Sequence, residues 1–180
     1  HAADLLLACD PLVAASEACL ESLHAARTSS LLDTHLAATA AFVMDNSVRW
    51  DTGALLARVR HRSRECHAVE ASRMAASLLG EAIGGNVLLL GYAFQRGLLP
   101  LASESILRAI ELNGVAVEMN RLAFGLGRLA AHDRKRLEDW LAVGVAAEAV
   151  PARLEERIAR HETALVDYQD AAWAARYRGW

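Results

Sequence analysis

Cysteine is scarce in this chain, and its spacing argues against several kinds of site. The 180 residues contain three cysteines, Cys9, Cys19 and Cys66, with no C-x-x-C pair among them. An odd number of thiols without that spacing indicates a reducing compartment, so the cytoplasm is the expected location. The same spacing gives no basis for an iron–sulfur cluster or a zinc site, and we expect no metal ligands in this chain.

Long apolar runs and an excess of positive charge are also lacking. The longest apolar run, 87–94 with its glycine counted in, is far shorter than the ~20 residues that cross a bilayer. No signal peptide pattern precedes it. The formal net charge of −3 offers no broad attraction to polyanions. We therefore expect neither a membrane nor a nucleic acid as partner, and any phosphate site has to be local.

What the chain does contain is apolar surface in quantity. Hydrophobic residues make up 54% of it against 23% charged residues, and alanine dominates. This composition indicates a folded chain with many close helix contacts, not a disordered one. At this length the chain can bury one good core, so we expect one globular unit followed by a helical tail.

The first part of the sequence alternates between strands and helices. Apolar or β-prone runs bounded by turn residues predict four strands, at 5–9, 29–32, 39–44 and 67–70. Helices are predicted to open at Ser16-Glu17 and, with Leu55, Leu56 and Val59 on one face, at Asp51-Thr52, where the polar side chains can cap the first turn. The pattern favours an α/β class with a short, mostly parallel sheet.

From Ser72 onward the pattern changes to helices only. One helix ends at Gly80, and an all-apolar helix follows, with Asn86 as its predicted cap, Gly91 as a point of close backbone approach and Gly97 at its end. Further helices are predicted from Ser103 and from the Asn113-Gly114 pair. The last of these carries an apolar stripe at spacings of four and three, formed by Val115, Met119, Leu122, Leu126 and Leu129.

The tail is predicted to be a helix that opens at Pro151. A second stripe at spacings of four and three lies along one face of this helix. It is made of Leu154, Ile158, His161, Leu165, Tyr168, Ala172 and Ala175. Such a seam needs a partner surface. It packs either on its own domain or against another chain as a homodimer, and both alternatives stay open at this point.

Two places could hold a ligand. Asp33-Thr34-His35 follows a predicted strand, and ligands gather at the carboxyl ends of strands in open α/β sheets, so His35 is the first candidate. Arg60 and Arg62 belong to a cationic run, 58–64, that could hold phosphate or carboxylate groups. A loop histidine bonded to the backbone and a solvated helix end are the simpler interpretations of the two features.

The stretch from Leu78 to Asp133 contains a set of residues that is typical of a known family. They are Gly80, Asn86, Leu90-Gly91-Tyr92-Ala93, Gln95, Gly97-Leu98, Pro100-Leu101, Ala109-Ile110-Glu111-Leu112-Asn113-Gly114, Asn120, Ala123-Phe124 and Gly127-Arg128. Through them the chain resembles the gamma domain of the 2-oxoacid:ferredoxin oxidoreductases, and most closely the C-terminal region of the fused bacterial indolepyruvate ferredoxin oxidoreductases. The Thr34-His35 pair also has a similar counterpart there.

The resemblance implies a truncated Rossmann-like fold with a helix-rich C-terminal half. The gamma domain opens with a strand, a glycine-rich turn and a helix, and this chain lacks that opening, so we expect a fragment of a larger enzyme. The expected organisation is 1–131 as a gamma-type oxidoreductase domain without its N-terminal strand and glycine-rich turn, and 132–180 as a helical C-terminal extension.

For the whole enzyme the resemblance implies oxidative decarboxylation of aryl 2-oxoacids to acyl-CoA, with thiamine diphosphate, magnesium, [4Fe-4S] clusters and coenzyme A. Electrons pass to ferredoxin. The fragment itself is expected to be catalytically inactive, to bind none of these cofactors by a recognisable motif, and to act as a scaffold that contacts other domains of the same enzyme. The alternative is a stand-alone module that binds a nucleotide or coenzyme A near His35, Arg60 and Arg62.

Overall fold

The computed structural model describes residues 2–36 and 51–148, together with 158–159, 162–163, 165–166 and 170–178. The chain divides into two compact units, His1–Gly144 and Val145–Trp180. The first unit contains a sheet and helices, whereas the described part of the second is helical. The predicted α/β class is therefore confirmed for the first unit.

The described strands form one parallel sheet in the order β1–β2–β3. Its strands are β1 (Leu5–Ala8), β2 (Ser29–Asp33) and β3 (Glu65–Val69). The middle strand is buried along its whole length, as expected for a parallel sheet covered on both faces. The first two predicted strands are confirmed, and β3 begins two residues before the predicted start. The strand predicted at 39–44 lies outside the described residues.

Short capped helices cover one face of the sheet. They are α1 (Pro11–Ala14), α2 (Glu17–Glu21) and α3 (Thr52–His61). The capping side chains are Asp10, Ser16 and Asp51, each of which accepts a backbone N–H of the first turn. The starts of α2 and α3 match the prediction. The helix α1 was not predicted, because Pro11 suits the first helical position as well as it suits a break.

These helices share a core with one set of strand side chains. That core consists of Ala8, Ala14, Ala15, Leu20, Leu23, Leu32, Leu55 and Val59. Since side chains alternate across a strand, the neighbour of Leu32 in sequence, Leu31, points to the opposite face. The sheet therefore separates two apolar cores.

Further helices form the second layer and the rest of the first unit, and the last of them continues past Gly144. They are α4 (Ala71–Leu79), α5 (Gly85–Gln95), α6 (Ser103–Asn113), α7 (Val117–His132) and α8 (Arg134–Glu148). The second core consists of Leu31, Val69, Ala71, Met74, Leu88, Leu89, Ala93, Ala130, Leu137 and Leu141. The predicted change to helices only is confirmed. Asn86 does not cap α5, which begins at Gly85 without a side-chain cap.

The closest helix contact joins α5 and α7. A Cβ added to Gly91 would lie 2.1 Å from the carbonyl oxygen of Phe124, and one added to Gly127 would lie 1.9 Å from that of Leu88. Real Cβ atoms do not come so near to backbone oxygens, so both glycines are required for the two backbones to touch. The predicted close approach at Gly91 is confirmed.

The buried face of α7 overlaps its apolar stripe only in part. The buried residues of this helix are Ala123, Phe124, Gly127 and Ala130. Of the stripe, Leu126 and Leu129 pack against the second core, whereas Val115 and Leu122 are 66% and 60% exposed. Because α5 lies at backbone distance, Gly127 and not a larger residue stands where the two backbones touch.

The second unit is described only in part. Its described elements include α9 (Ala171–Arg178) and helical residues between 158 and 166. Arg178 pairs with Glu162 at 3.0 Å. Of the predicted seam, Ile158 and Leu165 are half-buried, Ala172 and Ala175 are exposed, and the positions 154, 161 and 168 lie outside the described residues.

Among the residues that the structure describes, no helix combines the length and the apolar character needed to span a bilayer.

Candidate functional site

All three described strands end at the same edge of the sheet. Beyond β1 come Cys9 and Asp10, beyond β2 come Thr34 and His35, and beyond β3 comes Glu70. Because the strands are parallel, these residues collect at one edge, where open α/β sheets bind their ligands. This carboxyl edge is the candidate site.

Asp33 organises the carboxyl edge. Its side chain is buried, with 1% exposure. One carboxylate oxygen accepts the backbone N–H of His35 at 3.0 Å. The other accepts both the backbone N–H of Ser72, at 2.9 Å, and the Ser72 hydroxyl. Glu70, the N-cap residue of α4, makes no side-chain hydrogen bond to the first turn of that helix. Asp33, at the end of the neighbouring strand β2, makes this bond instead and caps α4.

Gly85 makes room for this arrangement. A Cβ added to it would lie 2.8 Å from the backbone nitrogen and Cα of Ser72. The start of α5 therefore presses on the start of α4, which holds Ser72 against Asp33. Gly85 thus has a packing role at the first position of α5.

A small cavity of about 150 Å³ opens beside Asp33. Its lining residues are Thr34, His35, Leu36, Thr52, Glu70 and Arg73. Arg73 forms an ion pair with Glu70 one turn earlier. The volume is below the ~300 Å³ at which drug-sized pockets begin, so the cavity fits one small group, such as a phosphate or a carboxylate, and not a whole nucleotide.

The structure places the three predicted site residues at opposite ends of the sheet. His35 lies at the carboxyl edge. Arg60 is in the last turn of α3 and Arg62 follows as its C-cap. The next turn leads to Arg64, whose N–H donates to the carbonyl of Thr28 at 2.8 Å, before the start of β2. A ten-residue helix is about 15 Å long, so His35 and the two arginines do not meet.

A polar cluster that the sequence analysis did not single out lies at the amino edge. Glu65 accepts hydrogen bonds from the Ser29 hydroxyl at 2.7 Å and from Arg64 at 3.2 Å, and its other oxygen lies 3.2 Å from His67 Nε2. The bond from Ser29, followed by that from His67, lowers the pKa of Glu65 to about 2. The sequence contains one signal for this cluster. Glu65 and His67 are two residues apart in a strand, so their side chains lie on the same face of the sheet.

The surroundings of Cys9, which follows β1, and of Cys66, which lies in β3, do not favour their thiolate forms. Partial burial raises the pKa of the Cys9 thiol, and the nearby charge of Asp33 raises it further. Burial likewise raises the pKa of Cys66. Thiolates are the nucleophilic form of cysteine, so the shifts disfavour a nucleophilic role for either residue. Among the described residues, no three His, Cys, Asp or Glu side chains lie together in a group that could hold a metal ion.

Comparison with protein-family models, with curated proteins and with solved structures yields no match to this chain.

Proposed function

We propose that this chain is a scaffold and interaction domain of a 2-oxoacid:ferredoxin oxidoreductase of the indolepyruvate type, with a truncated Rossmann-like fold. In this proposal the whole enzyme oxidatively decarboxylates an aryl 2-oxoacid to the acyl-CoA and delivers the electrons to ferredoxin. The chain itself is catalytically inactive. It acts in the cytoplasm by supporting the domains that hold the cofactors.

The observation that carries the proposal is where the family-like residues lie. Gly91 on α5, and Phe124 and Gly127 on α7, belong to the contact between these two helices, and Ala93 and Ala123 are buried. They are packing residues. The part of the likeness that lies at these positions supports a shared helical scaffold and does not require a shared reactive group.

The polar residues of the resemblance support the same contact. Arg128 Nε donates to Gln95 Oε1 at 3.1 Å, which joins α7 to α5. The Asn120 side chain donates to the carbonyl of Val115 at 3.0 Å, which fixes the turn before α7. Arg128 and Gln95 therefore hold the helix pair together at its rim, and Asn120 holds the start of α7 in place.

The cofactors implied by the resemblance are assigned to the rest of the enzyme. A [4Fe-4S] cluster takes four cysteine thiolates, whereas the chain has three cysteines, so its own residues do not fit that group. In this proposal thiamine diphosphate, magnesium, the clusters and coenzyme A are bound by other domains, which this chain contacts.

The test compares the isolated chain with the intact enzyme that contains it. Reduction of ferredoxin is measured with indolepyruvate and coenzyme A as substrates. The intact enzyme is expected to be active and the isolated chain inactive. In the intact enzyme, Gly91→Leu is expected to abolish turnover while thiamine diphosphate and the clusters remain bound, because it forces α5 and α7 apart.

Gly125→Leu is the matched control, since a Cβ at position 125 on α7 meets nothing within 4 Å and the replacement leaves the helix pair intact. Turnover by the isolated chain would contradict the proposal. So would full activity of the intact enzyme after removal of this domain.

A second candidate function is a module that binds a nucleotide or coenzyme A through one phosphate group, which is small enough for the cavity at the carboxyl edge. That cavity brings His35 together with Thr34, Thr52 and Arg73, and an arginine beside hydroxyl groups suits a phosphate that replaces Glu70 as its partner. Calorimetric titration of the isolated chain with coenzyme A tests it. Arg73→Gln is expected to abolish binding, while the double variant Arg60→Gln/Arg62→Gln, altered at the other end of α3, retains it.

A further inference from the structure

The sheet of the described residues stops at β1 on one side, and the outer edge of that strand offers backbone hydrogen-bonding groups. Among these residues β1 pairs with β2 alone. The carbonyl of Asp4 points toward β2, where it accepts the amide of Ser29 at 2.9 Å. Successive backbone groups of a strand point to opposite sides, so the N–H and C=O groups of Leu5 and Leu7 point outward. This is the pattern that an added strand requires.

The strand β1 carries none of the features by which edge strands usually avoid further pairing. Charged side chains, proline or a bulge protect such strands, whereas β1 consists of three leucines and an alanine. The strand at the other end of the described sheet, β3, carries Glu65 and His67. Of the two outer strands, β1 is therefore the one suited to pairing.

A cavity of about 280 Å³ follows the outer edge of β1. Its lining includes five consecutive residues, 6–10, together with Val13, Ala14 and Cys19. Consecutive residues of a strand point to opposite faces, so a lining that includes them all lies along the edge and not on one face. Val13, on α1, is 64% exposed and gives the cavity an apolar wall. We call this cavity the edge groove.

Asp10 gives the edge groove its charge. It is the one charged residue among the described residues of the lining. Its carboxylate accepts the amides of Leu12 and Val13, which caps α1, and no cationic side chain of the described residues pairs with it. Asp4, at the other end of β1, is already paired with Arg27. The groove therefore has one negative charge without a cationic partner, at the carboxyl end of the strand.

We propose that the edge groove binds an extended segment of a partner protein as an additional strand of the sheet. The backbone of this segment pairs with the outward groups of Leu5 and Leu7, and its apolar side chains, at alternate positions, pack on Val13. A lysine or arginine at one end lies beside Asp10. Strand addition of this kind takes its affinity from main-chain hydrogen bonds and its specificity from the side chains.

A synthetic peptide, acetyl-Lys-Thr-Val-Thr-Val-Thr-Lys-amide, is the probe. It has a lysine at each end, so one of them lies beside Asp10 in either strand direction. Amide hydrogen exchange is followed by NMR in the full chain. The amides of Leu5 and Leu7 are expected to exchange rapidly in the chain alone and slowly once the peptide is added. The amides of Leu6 and Ala8, which face β2, are expected to be protected in both states.

Two control peptides separate the backbone pairing from the charge. The same sequence with N-methyl groups on its threonines and valines is expected not to bind, because its backbone cannot donate hydrogen bonds to β1. The sequence with glutamate in place of both lysines is expected to bind more weakly than the probe, since it sets a carboxylate beside Asp10.

Variants of the chain test the walls of the groove. Val13→Lys is expected to abolish binding of the probe, because a charged side chain at an edge opposes pairing. Ile83→Lys is the matched control, since Ile83 is a β-branched residue that is 63% exposed just before α5, and it is expected to bind normally. Asp10→Asn keeps a capping side chain and is expected to weaken binding about fivefold, the upper limit for one exposed ion pair. Protection of the Leu6 and Ala8 amides reports that each variant is folded.

Protection of the Leu5 and Leu7 amides in the chain alone would overturn the proposal, because the chain itself would then cover the edge. Protection that develops only as the chain concentration rises would assign the groove to a second copy and would contradict it too. So would equal binding of the N-methylated peptide, equal effects of Val13→Lys and Ile83→Lys, or no binding at millimolar peptide. None of these outcomes bears on the proposed oxidoreductase role, which is tested by turnover.

Discussion

Gly91 of α5 lies directly against the carbonyl oxygen of Phe124 in α7, with room for a hydrogen and none for a methyl group. A Cβ at position 91 would stand 2.1 Å from that oxygen. The oxygen belongs to the backbone and a Cβ has a fixed position on it, so no side chain can rotate to relieve the clash. Together with the contact of Gly127 with Leu88, this contact sets the register of the two helices.

Gly91→Ala is expected to lower the free energy of unfolding by about 3 kcal/mol, the upper part of the usual range for overpacking a core. Urea denaturation measures it. Gly125→Ala is the control on the partner helix, since its methyl group meets open space and helix propensity favours alanine by about 1 kcal/mol. Equal losses in the two variants would contradict the close contact.

Phe124 and Leu122 lie on different faces of α7, so we expect their replacement to change the stability of the fold to very different extents. Phe124 is 2% exposed, and Phe124→Ala is expected to cost about 3–5 kcal/mol of stability. Leu122 is largely exposed, so Leu122→Ala is expected to stay within about 0.5 kcal/mol of the unmodified chain. Both are measured by denaturation at low protein concentration. A larger loss at Leu122 would show that the apolar stripe is the buried face.

Asp33 is expected to be the most sensitive polar residue at the carboxyl edge. Asp33→Ala leaves the Ser72 amide and hydroxyl without their acceptor, and we expect a loss of about 3 kcal/mol, as for breaking bonds to a buried charged group. Ser72→Ala removes only the hydroxyl and is expected to cost about 1 kcal/mol. Denaturation midpoints that fall equally in both variants would contradict the helix-capping role of Asp33.

The lowered pKa of Glu65 leads us to expect a stability of the fold that depends on pH in the acidic range. Its pKa is about 2 in the folded chain against 4.5 when unperturbed, so the unfolded state binds the extra proton between these values. The stabilisation by Glu65 is therefore fully present above pH 4.5 and is lost as the pH falls toward 2.

Denaturation of the unmodified chain and of Glu65→Gln, followed across this range, measures the effect. The difference in stability between the two proteins is expected to be constant near neutral pH and to shrink on acidification. A difference that stays the same down to the lowest pH would show that the Glu65 carboxylate is not held by Ser29 and His67.

The local elements of the fold could be predicted because their signals are local. Leu5 to Cys9 is an unbroken apolar run closed by Asp10-Pro11, and it forms β1. Asp51 is a capping residue directly before an amphipathic segment, and it starts α3. In both cases the residues that define the element also lie within it, so periodicity and capping preferences were sufficient.

The buried face of α7 could not be predicted in that way. Its small residues, such as Ala123 and Gly127, give a weak hydrophobic signal, while Leu122 and its neighbours give a strong one. The choice between the two faces depends on α5, where Gly91 permits the backbone contact. Information carried by a partner about 30 residues away does not appear in the periodicity of the helix itself.

The same difference between local and long-range signals applies to the residues of the candidate site. His35 was assigned to the carboxyl edge because it directly follows a strand. Arg73 was not, because it reaches the cavity only through the pairing of β2 with β3 and the turn into α4. Arg60 and Arg62 were grouped with His35 on charge alone, and the direction of α3 carries them to the far edge.

The adjacent leucines of the middle strand, Leu31 and Leu32, belong to different cores on opposite faces of the sheet. The middle strand therefore borders both cores, and exposure of one core to water would remove packing from the other. The first unit therefore cannot be divided at Ser72, where the sequence pattern changes to helices only. Either half alone would expose to water the apolar residues that pack against the other half.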